Sequence, residues 1–165
     1  MNKEKLIYMF VRQKSHENEK QCFKMGFRAK GNPASNSGDY DMVVCETPAG
    51  AQGPPPHIHT QYKEAFLVIA GELEFFIDGK IQVCRAGESV DVPPGTLHTF
   101  SNKQNQPCTW VNIHSPKGFS SFFETFGVSE TETDAVQKSV HPETIQKVLA
   151  TAKNYDMLIP PPPQE

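Results

Sequence analysis

Between residues 40 and 100 the chain sets short apolar runs between Gly, Pro and Asp-Gly breaks. The runs are Asp41–Glu46, His57–Thr60, Ala65–Ala70, Leu73–Ile77, Ile81–Cys84, Ser89–Val92 and Leu97–Phe100, with another at Thr109–His114. Short strands at such close, even intervals predict an all-β fold, an antiparallel sandwich or barrel. Asp78-Gly79, between Leu73–Ile77 and Ile81–Val83, is the clearest hairpin signal, because both turn positions favour residues that tolerate positive φ. Leu73, Phe75 and Ile77 alternate with Glu72 and Glu74, which predicts that the apolar set faces inward. Upstream, residues 12–20 are polar and 31–39 read as a loop, with an early strand predicted over Gln21–Ala29.

The period changes after Pro116. Phe119, Phe122, Phe123 and Phe126 recur at helical spacing with Gly127 as a cap, predicting a short helix whose aromatic face packs on the sheets. Pro142, Glu143 and the periodic Ile145, Val148 and Leu149 predict a second helix running to about Asn154. Pro160 to Pro163 read as a stiff extended tail suited to docking on a neighbour. The expected organisation is one domain over residues 1–165, with a barrel core at about 40–115 and a helical extension at about 117–165.

Composition narrows the classes. A chain of 165 residues with 37% apolar and 21% charged residues is neither disordered nor fibrous. A net charge of −3, with Lys20, Lys24, Arg28 and Lys30 as the only basic cluster, gives no reason to expect a nucleic-acid partner. The early apolar run Leu6–Val11 is too short to span a bilayer and lacks the pattern of a secretory signal, so a cytoplasmic location and no membrane partner are expected. Cys22, Cys45, Cys84 and Cys108 stand singly and read as small apolar fillers. Exposed sheet edges and the Phe-rich helix need cover, so a homodimer is expected.

Two segments carry chemistry. In the first, His57 and His59 are followed by four residues, Glu64, six residues and Gly71. In the second, Gly87 is followed by Pro93, Gly95, His98 and Asn102. On a strand, residues two apart share a face, so His57 and His59 project together while Ile58 turns away. Glu64 opens the next strand, and an antiparallel neighbour would stand about 5 Å from the histidine strand. The Pro93-Pro94-Gly95 turn aims His98 back toward the same point. Singly, each residue has an ordinary reading as packing or surface. Together, three imidazoles and one carboxylate form a donor set for one divalent transition metal (Fe, Ni, Mn, Co, Cu or Zn) rather than Ca or Mg. A six-coordinate ion would keep two positions for water, substrate or oxygen. His16, His114 and His141 have no such support and read as ordinary histidines.

These two segments resemble, position for position, the paired motifs of the cupin superfamily, in its small single-domain form. The leading glycine of the first motif is displaced: Gly50 and Gly53 flank Ala51. The resemblance implies a double-stranded β-helix jelly roll with His57, His59, Glu64 and His98 as metal ligands. Pro54–His59, Glu64-Ala65-Phe66, Ser115–Phe119 and the Phe-rich helix are further similar to quercetin 2,3-dioxygenase-like cupins. That similarity implies a metal-dependent dioxygenase acting on a small aromatic or enol substrate with dioxygen as partner. Glu64 would then also be catalytic, accepting the proton of the substrate hydroxyl. Phe66, Val68, Phe75 and Phe100 are candidates for the apolar lining of the substrate pocket, Phe66 and Val68 sharing the parity of Glu64. A non-catalytic metal or small-ligand binding module and a metal-dependent isomerase or epimerase are the alternatives.

Overall fold

A computed structural model describes residues 9–13, 20–30, 37–129 and 132–161. His16, most of the 31–39 loop and the end of the Pro160–Pro163 run fall outside the described residues. The strands in chain order are β1 (Met9–Gln13), β2 (Lys20–Lys30), β3 (Asp41–Thr47), β4 (Lys63–Ala70), β5 (Glu72–Ile77), β6 (Lys80–Arg85), β7 (Ser89–Val92), β8 (His98–Ser101) and β9 (Cys108–Ser115). There follow α1 (Ser120–Phe126), β10 (Val128–Ser129), α2 (Ala135–Ser139) and α3 (Pro142–Thr151), which runs on as a 3-10 turn over Ala152–Tyr155.

All strand pairings are antiparallel, as the regular spacing predicts. One sheet has the order β1-β2-β3-β9-β4-β7, with β10 beside β2, and a second has the order β6-β5-β8. The Asp78-Gly79 turn joins β5 to β6 with φ of 44° and 81°, the double positive φ that matches the twist of a two-residue hairpin.

The inner faces of the two sheets share one core. Phe66 and Trp110 from the first sheet meet Phe75 and Phe100 from the second, with ring centroids 4.9 Å apart for Phe66–Phe75 and for Phe100–Trp110. Leu73 and Phe75 are fully buried and Ile77 packs against them, as the alternation predicts. Cys45, Cys84 and Cys108 are free and buried; burial pushes the Cys108 thiol up to about 12. They are unreactive fillers, as expected.

The aromatic helix forms as α1, and its Phe122, Phe123 and Phe126 are buried. Gly127 closes it with an N–H bond to the Phe123 carbonyl but at φ −68°, so the left-handed cap is not used. Asp41, buried on β3, accepts hydrogen bonds from the N–H groups of Gly118 and Ser120 at 2.8 and 2.9 Å. That carboxylate satisfies donors at the helix start that have no intrahelical partner and fixes α1 over one end of the sheets.

The segment Pro54–Thr60 departs from expectation. No strand forms over His57–Thr60; the chain makes isolated bridges only, His57 to His98 and Ile58 to Leu158. Three consecutive prolines leading into it withhold the N–H donors a ladder requires. Glu64 accordingly does not lie beside the histidine segment in a sheet, because β4 pairs with β7 and β9.

Candidate metal centre

His57 and His59 still share a side, with ring centroids 5.0 Å apart. The His57 backbone exchanges two 3.0 Å hydrogen bonds with His98, and Gly95, at φ +84°, donates its N–H to the His59 carbonyl at 2.7 Å. The Pro93-Pro94-Gly95 turn therefore ties the two motif segments together. Glu64 comes in from β4, whose inward positions are Glu64, Phe66 and Val68. One donor atom from each of His57, His59, Glu64 and His98 lies within 4.8 Å of the others, and all four residues are buried.

Gly53 sits next to this group. A Cβ there would meet the Phe100 carbonyl oxygen at 2.0 Å, so the close approach demanded of a glycine falls at Gly53. Asn102, the last motif residue, is fully buried and staples the loop, donating to the Pro48 and Gln106 carbonyls and accepting from the Gln104 N–H.

The hydrogen bonds of the rings decide what the cluster can hold. His57 Nδ1 faces the Pro55 carbonyl at 2.9 Å, His98 Nδ1 the Thr96 carbonyl at 3.0 Å, and His59 Nδ1 the Asp156 carbonyl at 2.7 Å. A carbonyl oxygen only accepts, so each Nδ1 carries the hydrogen and a neutral ring turns a bare Nε2 to the common centre, while in the metal-free protein His98 Nε2 also carries a hydrogen, donated to Glu64 Oε2 at 2.8 Å. Metal-binding histidines are oriented in this way. His59 Nε2 is buried with no hydrogen-bond partner. Ligand atoms around one first-row ion stand about 3 to 4 Å apart, so the cluster is nearly the size of one coordination sphere.

Glu64 is held from both sides. Its Oε1 accepts from Asn112 Nδ2 at 2.9 Å, and His114 Nε2 stands 3.2 Å from the same oxygen, without aligning as a hydrogen bond. Its Oε2 lies 2.8 Å from His98 Nε2 and 3.6 Å from His59 Nε2. Burial favours the neutral acid, yet the His114 and His98 rings outweigh it and keep the carboxyl well below the usual range. Glu64 is thus an anion, and the centre can take a cation.

Sequence alone does not single out His114 or Asn112. Both face inward on β9, and the register pairs Glu64 with His114 and Phe66 with Asn112. His114 also stacks on Phe119, with centroids 4.0 Å apart. Their signal is the alternation Trp110, Asn112, His114, which marks one strand face.

A small cavity of about 30 Å³ opens from the cluster, walled by Phe100, Trp110, Phe119, Phe122, Phe123 and Met157. Of the four predicted lining residues, Phe100 reaches it; Phe66, Val68 and Phe75 lie deeper in the core. A second, more polar cavity of about 200 Å³ lies beyond Tyr62 and Phe119, and Phe119 borders both.

The metal-free protein should be sensitive to acid. Burial, then the charges of His98 and His59, pull His57 down to about 3, whereas an unfolded chain protonates this ring near pH 6.5. Between those values the unfolded state binds the extra proton, so stability falls with falling pH, by roughly 5 kcal/mol across the whole window. His98 acts in the opposite sense: burial lowers it, but the hydrogen bond and charge of Glu64 prevail and raise it. Its contribution is complete below pH 6.5 and fades as pH climbs through the raised value. Melting curves from pH 6.5 to 4 should show the His57 loss, and His57→Gln should flatten it. An unflattened curve would assign the acid sensitivity to other groups.

Comparison with known proteins agrees with this architecture. Residues 43–114 match the family model for the cupin domain. Quercetin 2,3-dioxygenase of Bacillus subtilis (strain 168) is 28% identical over 98 residues, which cover 59% of this chain. The matched stretch spans 28% of that enzyme's length. KdgF from Halomonas sp. superposes with a TM-score of 0.52 at 19% identity, covering 67% of this chain and 92% of that one. TT1209 from Thermus thermophilus gives 0.50 at 15% identity, over 56% and 86% of the two chains. These two likenesses concern the fold. Among the described residues, no helix is long and apolar enough to cross a membrane.

Proposed function

We propose, from a chain whose residues 43–114 match the cupin domain model, that it is a metal-dependent dioxygenase of small aromatic or enol substrates. The observation that carries this is the set of three imidazoles, each fixed through Nδ1, with Glu64 among their Nε2 atoms. His57, His59, His98 and Glu64 would hold the ion. A divalent transition metal bound there supplies Lewis acidity toward a hydroxyl or enolate and redox chemistry toward dioxygen.

The remaining work belongs to the chain itself. The aromatic wall excludes water and suits a flat substrate. Glu64 accepts the substrate hydroxyl proton at Oε2. Its lowered pKa makes it a weak base. The similarity to quercetin 2,3-dioxygenase supports the reaction class. The cavity bears on substrate size: about 30 Å³ takes a water-sized molecule, while pockets for drug-sized ligands measure roughly 300 Å³ or more. A larger substrate would need the Phe119 ring, which borders both cavities, to swing aside.

The same small volume favours a second reading, a metal-binding module without turnover. An isomerase of sugars fits less well, because the wall beyond the cluster is apolar. Oxygen uptake separates the first two. Protein reconstituted singly with Fe, Ni, Co, Mn or Cu should consume oxygen with at least one member of a panel of flavonols and smaller aromatic diols and enols. Tight metal binding with no uptake on any of them would select the binding module.

A further inference from the structure

We propose that Asp156–Leu158 is a positioning device that fixes His59 as its Nδ1–H tautomer and turns Nε2 into the cluster. The proposal rests on reading that cluster as a metal centre. The histidine segment lies in neither sheet, so its orientation must come from elsewhere. One edge is tied to His98 and Gly95. The other edge is tied to this downstream segment: Ile58 and Leu158 exchange hydrogen bonds of 2.8 and 2.9 Å. The Asp156 carboxylate accepts from Thr60 Oγ1 at 2.5 Å and from the Gln61 N–H at 2.7 Å.

His59 differs from the other two histidines in where its carbonyl comes from. His57 and His98 use carbonyls two residues away, within their own turns. His59 uses Asp156, 97 residues away. Asp156 ends the 3-10 turn in the left-handed region, at φ 56° and ψ 29°, which Asp tolerates better than most residues. Its two side-chain hydrogen bonds pin that conformation and so aim its carbonyl at the ring. Met157, buried next in the chain, walls the cavity. Asp156 is therefore a positioning residue acting through His59.

The test uses the full chain. Asp156→Gly keeps a backbone that accepts positive φ and removes both side-chain anchors, while Asp156→Asn keeps one acceptor. Loss of such an outer partner typically costs 10- to 100-fold in metal affinity. Calorimetric titration with Co(II) should show a loss in that range for Asp156→Gly, with a changed visible spectrum, and an intermediate value for Asp156→Asn. Nitrogen-15 spectra of the metal-free imidazoles should show His59 protonated at Nδ1 in the parent protein and mixed in Asp156→Gly, with His57 and His98 unchanged. A merely structural role would lower the melting temperature and leave the tautomer as it was. Nε2 protonation of His59 in the parent, or an unchanged tautomer in both variants, overturns the proposal. Failure of the parent to bind Co(II) sinks the metal reading alone, since the tautomer still decides the clamp.

Discussion

Replacing His98 with alanine is expected to abolish stoichiometric Co(II) binding while the sheets persist. The ring supplies one of four donor atoms and contributes Nε2 at 2.8 Å from Glu64 Oε2. Removing a ligand itself should cost more than the hundredfold that marks the upper end for an outer partner. The fold survives because His98 pairs with His57 through backbone groups, and alanine retains those. Glu64 loses one hydrogen bond but keeps Asn112, so the cost to stability should stay within about 1–3 kcal/mol. Equilibrium dialysis with metal analysis, run beside circular dichroism, reads both effects. Parent-like affinity in His98→Ala would remove this residue from the ligand set, and with it the single-centre reading.

Trp110→Ala should be the most damaging core substitution for the fold. The ring is 1% exposed and packs on Phe100 and Phe66 at 4.9 and 5.3 Å. It also donates Nε1–H to Thr47 Oγ1 at 2.9 Å. Truncating a buried aromatic of this size costs about 3–5 kcal/mol, a large share of the roughly 5–15 kcal/mol typical of a domain. Because Trp110 also walls the cavity, the variant should enlarge it and admit water. Urea unfolding measures the cost. A loss under about 1 kcal/mol would mean that the sheets can collapse onto the vacated space, contrary to the tight ring contacts seen.

The candidate ligands are legible in the sequence because their placement is local. Turn residues such as Gly95 and the two-residue step from His57 to His59 fix direction within a few positions. The sequence places Glu64 at the opening of the next strand, where it is, but beside the wrong neighbour, since sheet partners are chosen by long-range register. The same limit hides His114 and Asn112. Their strand is predicted over Thr109–His114, yet nothing local says that β9 lies against β4 with His114 opposite Glu64. Phe66, Val68 and Phe75 face inward as their alternation requires, but alternation gives the face and not the depth, and all three lie below the cavity. Asp156 leaves no trace either, because its contribution to His59 is a backbone oxygen. The short α2 is equally invisible, as five residues are too few to display a helical period.

The carbonyl that orients His59 is made 97 residues after the ring it serves. On a nascent chain, His57, Glu64 and His98 leave the ribosome long before that oxygen exists, and closing so long a loop is slow. Until residue 156 has been added, the His59 ring of a translating polypeptide has no such carbonyl to direct it.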